Sequence, residues 1–262
     1  MFFDETEDKL MRFLVDPHTH TISSGHARST VRENALAAKQ AGMEGICCTD
    51  HGPAMEGAAV EFLVTVLSGG PEFIEGVRVV NGTEANILDY SGRLDISDRY
   101  LEYTDFAIAS IHDGIVMPGS RTQHTEAMLG ALGNPYIDVI GHPGNPRFEA
   151  DAEAVVEAAR RMNKLIEINN NSFIYRKGSR PNCLEFLRLC KQKDVRITVS
   201  SDAHICYKIG CFEHAVRILG ETGFPEELVV SRNLAAFSEY LCERRTRIET
   251  ACKRGKAEKE TR

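Results

Sequence analysis

Seven short apolar runs punctuate this chain: FLVDP (13–17), GICCT (45–49), VRVVNG (77–82), FAIAS (106–110), DVIG (138–141), LIEI (165–168) and ITVSS (197–201). Gly, Pro or Asn bounds them, and they are mostly apolar at both odd and even positions, as strands covered on two faces must be. Helical patterns fill the intervals. Thr30 and Glu33 have the spacing of a capping box, opening a helix that Gly42 would end. Val155, Ala158, Ala159 and Met162 form one apolar stripe; Cys183, Phe186, Leu187 and Cys190 form a second; Phe212, Ala215, Val216 and Leu219 form a third. Repeated strand–helix units imply a parallel sheet with helices outside it. Seven such strands fit a closed barrel better than an open doubly wound sheet, and the DPHTHT that follows the first strand is nothing like a glycine-rich phosphate loop. The expectation is one α/β domain over 1–262, with a core at about 13–242 and a basic tail at 243–262.

The strand termini carry the chemistry. Residues two apart on an extended chain point the same way, so His18 and His20 should project together from the first strand. Asp202 and His204 repeat that spacing at the last. His51, Glu84, His112 and His142 each follow one of the strands between, and His26 lies in the loop after the first. In a closed barrel these termini converge on one face, where the βα loops build the active site. A single imidazole near a strand is ordinarily a hydrogen-bonded core residue. Six strands delivering His, Asp or Glu in register is a different matter, because so many buried polar groups need partners and cations satisfy them together. Imidazole with carboxylate suits Zn, Mn or Fe over Ca or Mg. Nine ligands exceed one tetrahedral ion and suggest two or three, with Glu84 able to bridge.

Composition narrows the function. The net charge of −7 disfavours a nucleic-acid coat, which needs a basic surface, and suits attraction of metal cations. No apolar stretch is long enough to span a membrane, and the acidic start lacks a signal-peptide apolar region, so a cytoplasmic location is expected. The eight cysteines form no CxxC, and most read as small buried hydrophobes in a reducing compartment rather than redox centres. The tail, Glu243–Arg262, has eight Lys/Arg against four Glu and reads as a solvated or frayed helix, with docking to an anionic partner as an alternative. His124 and His214 belong to no strand-end pattern and read as surface residues.

DPHTHTISSGHARST, TDHG, NGTEANI, SIHDG, GHPGNP and SSDAH resemble the successive motifs of the PHP (polymerase and histidinol phosphatase) family, in order, from about Phe13 to Ser231. NNNSFIYRKGSRPN also resembles a loop of its stand-alone YcdX-like phosphatases. The resemblance implies a distorted (β/α)7 barrel with its active site at the carboxyl ends of the strands. It also implies a trinuclear centre of divalent ions, with zinc ahead of Mn or Fe. His18, His20, Glu84 and Asp202 would hold one ion; Glu84, His112 and His142 a second; His26, His51 and His204 the third. No ligand position of the motif set is replaced.

Such a centre would hydrolyse a phosphomonoester by attack of a hydroxide bridging the metals, with Asp202 and His204 catalytic through bound water. Arg28, Arg176 and Lys177 are candidates for the non-bridging phosphate oxygens, with solvated surface charge as the alternative for each. Asp50 is placed to orient a neighbouring imidazole. The partner is a small phosphorylated molecule; membrane and nucleic acid are not expected. The rival readings are a phosphodiesterase or exonuclease of the same family, a metal-dependent amidohydrolase, which the pattern fits poorly, and a non-catalytic binding module stabilised by its metals.

Overall fold

Seven of the eight strands lie parallel in the order β1-β2-β4-β5-β6-β7-β8. They are β1 (Val15–Thr19), β2 (Gly45–Cys48), β4 (Val77–Asn86), β5 (Phe106–Ser110), β6 (Val139–Ile140), β7 (Leu165–Asn169) and β8 (Ile197–Ser200). The two-residue β3 (Phe73–Ile74) pairs antiparallel with the start of β4. The computed structural model describes residues 11–260. The helices are α1 (Val31–Gln40), α2 (Asp98–Leu101), α3 (Arg121–Gly133), α4 (Ala152–Arg161), α5 (Ser172–Tyr175), α6 (Ser179–Lys193), α7 (Glu213–Thr222) and α8 (Leu234–Glu260). Among the described residues no helix is long and apolar enough to cross a membrane.

Local chemistry sets these elements much as their sequences imply. Thr30 and Glu33 form the reciprocal capping box at the start of α1. Cys183, Phe186, Leu187 and Cys190 are the buried face of α6. The strands alternate between two apolar clusters. Val15, Cys47, Val80, Phe106, Ile108, Val139 and Leu165 gather with Phe237, Tyr240 and Leu241 of α8. Ile46, Cys48, Val79, Ala107, Ala109, Ile140 and Ile166 turn outward onto the surrounding helices. Of the seven described cysteines, all free, Cys47, Cys48, Cys183 and Cys190 are buried; Cys206 and Cys211 are partly exposed and Cys242 exposed, so burial holds for only four.

The barrel is nearly closed. At the carboxyl end, β8 and β1 meet through a bridge between Thr19 and Ala203, with the Asp202 N–H donating to the His18 carbonyl at 3.0 Å. At the other end, residues 229–232 fill the seam: Val229 bridges Ile197, the Ser231 hydroxyl accepts from Val199 N–H and donates to its carbonyl, and Leu14 N–H donates to the Arg232 carbonyl.

Helix α8 corrects the reading of the tail as solvated at Arg244 and Arg247, while Arg245, Glu249 and Lys253 are exposed as expected. It runs across the expected boundary at 242/243, and Arg244 is only 4% exposed. Arg244 Nε donates to Asp138 Oδ2 at 2.7 Å while its terminal nitrogens reach Thr104 and the Tyr136 carbonyl. Arg247 also pairs with Asp138, whose Oδ1 accepts from the Tyr240 hydroxyl. Removing one partner of a buried ion pair leaves an uncompensated charge. Asp138→Ala should therefore lower unfolding free energy by about 3–5 kcal/mol, measured by urea denaturation. A loss under about 1 kcal/mol would mean the pair behaves as a surface bridge.

Candidate metal centre

Strand geometry places the polar residues. Glu84 is the eighth residue of β4, inside the strand rather than beyond it, because β4 runs on to Asn86 beside β5. His18 lies in β1, with His20 just after it. His142 and Asp202 follow β6 and β8 with φ of +32° and +57°, a region that non-glycine residues seldom enter and that turns both side chains at the strand ends. His26 rides on a loop with Gly25 at φ +80°, packed so closely on Gly57 that a Cβ there would overlap its backbone.

The structure brings all nine expected side chains into one cluster around Glu84, which is fully buried. Glu84 Oε2 stands 2.9 Å from His51 Nδ1, 3.2 Å from His18 Nε2 and 3.5 Å from His20 Nε2. Its Oε1 faces His112 Nε2 at 3.2 Å and His142 Nε2 at 3.1 Å. Asp202 Oδ1 lies 3.3 Å from His20 Nε2 and 3.7 Å from His18 Nε2. Toward solvent, His204 and His26 meet with Nε2 atoms 2.9 Å apart, and the His204 ring stacks on His20 with centroids 4.1 Å apart.

The outer nitrogens of four of these rings are held by hydrogen bonds. His18 Nδ1 donates to Glu167 Oε1 at 2.6 Å, His112 Nδ1 to Asn86 Oδ1 at 2.7 Å and His204 Nδ1 to the Asp202 carbonyl at 3.0 Å. His20 Nδ1 donates to Ser24 Oγ at 3.0 Å, and Ser24 in turn donates to Asp50 Oδ1. Asp50 thus orients an imidazole, as expected, with Ser24 as the relay. Each tie fixes a tautomer and aims the other nitrogen's lone pair inward.

Lone pairs then face lone pairs. His18 Nε2, His20 Nε2, His51 Nδ1 and Glu84 Oε2 are buried without a hydrogen-bond partner. Burial opposes charge on Glu84, but His18, His112 and His51 outweigh it and hold the carboxyl well below its usual range. Asp202 is likewise held low against burial by His18, His20 and Arg176. Burial also opposes charge on His18, yet Glu84, Glu167 and Asp202 raise it well above an ordinary imidazole. His20 goes the other way, lowered by burial and by His204 and His51, and burial takes His142 down to about 4. One proton on His18 cannot satisfy several converging acceptors; cations can. Three sets of donor atoms are close enough to share an ion: His18, His20 and Asp202; His20, His51 and His204; His51, Glu84 and His112. Imidazole nitrogens with carboxylate oxygens match zinc or a similar transition ion.

The candidate phosphate contacts divide. Arg176 reaches the cluster, its terminal nitrogens both 3.3 Å from Asp202 Oδ2. Arg28 is exposed and tied to it by its backbone N–H, which donates to the His204 carbonyl at 2.8 Å. Lys177 is exposed and, among the described residues, makes no hydrogen bond or ion pair. His124 is a correction: it is buried, with Gly119 N–H donating to its Nε2 and its own Nδ1 donating to the Glu149 carbonyl, so it caps a turn rather than facing water. His214 is half-buried against Phe173.

Sequence reasoning missed Glu167. It is 2% exposed, accepts from His18 and from Ser200 Oγ through Oε1, and accepts the His142 N–H through Oε2 at 2.6 Å, so it aligns two ring-bearing segments at once. The signal was a carboxylate in the middle of the apolar run LIEI. Glu167→Gln keeps the shape but weakens the hold on His18 Nδ1–H. It should weaken zinc binding about 10–100-fold, read by competition with a chromophoric chelator. Unchanged affinity would reduce Glu167 to packing.

Residues 16–174 match the PHP domain family model. A protein named "Probable phosphatase" from Acetivibrio thermocellus is 49% identical over 238 residues, covering 91% of this chain and 99% of the relative. One of the same name from Caldicellulosiruptor bescii is 47% identical over 227 residues, covering 87% and 95%. Histidinol phosphate phosphatase from Lactococcus lactis, solved with zinc, L-histidinol and phosphate, superposes with a TM-score of 0.55 at 20% identity, covering 80% of this chain and 94% of that one. The last likeness is one of fold.

Proposed function

This chain belongs to the PHP domain family, and on that premise we propose that it is a metal-dependent phosphatase acting on small phosphomonoesters through a centre of up to three divalent ions. The observation that carries the reading is the buried Glu84 carboxylate, approached by five imidazole nitrogens, with unpartnered lone pairs among them. The curated relatives at 49% and 47% identity bear the name phosphatase, and the fold neighbour was solved with zinc and phosphate.

Glu84 supports a bridging role, since its two oxygens serve different imidazoles. Oε2 faces His18 and His20, which with Asp202 would hold one ion; Oε1 faces His112 and His142, which would hold a second. His26, His51 and His204 would hold the third at the solvent side, with His51 also near Glu84. Bound there, divalent ions supply Lewis-acid charge that offsets the phosphoryl oxygens and makes water acidic enough to react near neutral pH.

The chain's own groups do the rest. Arg176, whose guanidinium offers five donors and uses two nitrogens on Asp202, binds the phosphoryl oxygens as the ester enters. Lys177 and Arg28 add positive charge at the rim. Asp202 and His204 handle the proton of the attacking water: Asp202 Oδ2 lies between Arg176 and Asn169 Nδ2, and His204, with Nδ1 fixed on the Asp202 carbonyl, presents Nε2 at the opening. The centre lies deep while His204 is 29% exposed at its side chain, so a terminal phosphoryl group reaches it more readily than a diester flanked on both sides. Seven free thiols among the described residues fit the reducing cytoplasm.

The metal-loaded protein should hydrolyse p-nitrophenyl phosphate and leave bis(p-nitrophenyl) phosphate nearly untouched; the opposite preference would make it a diesterase. His112→Ala should lower that activity by at least about 10³-fold with little change in thermal stability. Equal loss of stability and activity would assign the residue to structure. Chelation should abolish turnover and lower the melting temperature, with zinc or manganese restoring both, because a ligand held only by the folded state stabilises it. Full activity in the stripped protein would overturn the metal-dependent reading.

A further inference from the structure

Beside the metal centre lies a cavity of about 220 Å³, formed where α5, the start of α6 and α7 come together. Arg176, Arg180, Arg217 and His214 line it, with Ser172 and Phe173 among the remaining walls, and no acidic residue contributes to its lining. Three arginines border this small space in a chain whose net charge is −7, and two of them, Arg176 and Arg180, also reach Asp202 and Glu221 outside its lining. Like charges repel, so such a concentration is stabilised by an anion.

The local bonding leaves donors for one. Arg217 and the His214 ring have no hydrogen-bond or ion-pair partner among the described residues. Arg180 pairs with Glu221, an exposed bridge that costs little to exchange. Ser172 Oγ has no hydrogen-bond partner although its residue is 1% exposed. The first turn of α6 adds to this. Its N-cap is Gly178, with no capping side chain, and no acidic residue stands in the turn, so its positive end is not neutralised.

Arg176 belongs to both places. It lines this cavity, and its terminal nitrogens stand 3.3 Å from Asp202 Oδ2 in the metal centre. We propose that the cavity is an oxyanion site, sized for a phosphate or carboxylate group, that is filled alongside the phosphoryl group at the metals. Its role as a neighbour of a reacting phosphoryl group rests on the phosphatase reading; its capacity for an oxyanion does not. The anion is either a second acidic group on the substrate or a free inorganic anion, and both use the same donors.

The test uses the full-length, metal-loaded protein and the double variant Arg180→Ala/Arg217→Ala, which leaves the metal cluster and Arg176 intact. Calorimetric titration with sodium sulfate should show a binding event in the wild type that is lost or at least about tenfold weaker in the variant. Identical isotherms would overturn the proposal. Kinetics then distinguish the sources. If the substrate supplies the group, 3-phosphoglycerate should exceed glycerol 3-phosphate in kcat/KM by about tenfold or more. That advantage should vanish in the variant while p-nitrophenyl phosphate turnover is retained. If the anion is free, sulfate should alter p-nitrophenyl phosphate turnover at saturating substrate in the wild type and not in the variant. Should the wild type hydrolyse no monoester at all, the phosphatase reading fails, and the sulfate titration still decides the cavity.

Discussion

A carboxylate with no exposed surface, set within 3.5 Å of five imidazole nitrogens, is the arrangement around which this molecule is organised. Glu84 stays ionised against the cost of burial because positive charge converges on it from several strands. None of those strands could close independently around such a group, since each alone would bury an unsatisfied polar side chain. The collective solution is what makes the centre cation-seeking. Its outer hydrogen bonds to Glu167, Asn86, Ser24 and the Asp202 carbonyl fix which nitrogen of each ring faces the carboxylates.

The barrel provides that convergence through backbone geometry more than through side-chain packing. Parallel pairing aligns the carboxyl ends of the strands, and the left-handed backbone at His142 and Asp202 turns those residues where an ordinary strand exit would carry them onward. Strained conformations of this kind persist only where surrounding bonds over-determine them. Here the Asp202 N–H is held by the His18 carbonyl and the His142 N–H by Glu167.

Much of this was legible in the chain itself. The short apolar runs located all seven parallel strands, FAIAS to the residue, because a strand buried on two faces is apolar at both odd and even positions. The strand-end His, Asp and Glu residues were legible because period-two spacing decides direction. Glu84 was misplaced by a few residues because VRVVNGTEAN passes through polar positions that look like a turn and are, in the structure, a strand continued by pairing with β5. Glu167 was overlooked because nothing local says that a lone carboxylate in an apolar run is held by a histidine 149 positions away. The fate of the tail was hidden for the same reason: a run of arginines looks solvated until a buried aspartate such as Asp138 is known to lie beneath it.

The seam between β8 and β1 joins parts of the chain that lie far apart in sequence. The strand bearing His18 and His20 docks on one bearing Asp202 and His204, with residues 229–232 wedged between their far ends. Four of the nine clustered side chains therefore stand on a single seam, two on each wall. Parting that seam would draw Asp202 away from His18 and His20, so the cluster holds together only while the first and last strands of the barrel stay zipped.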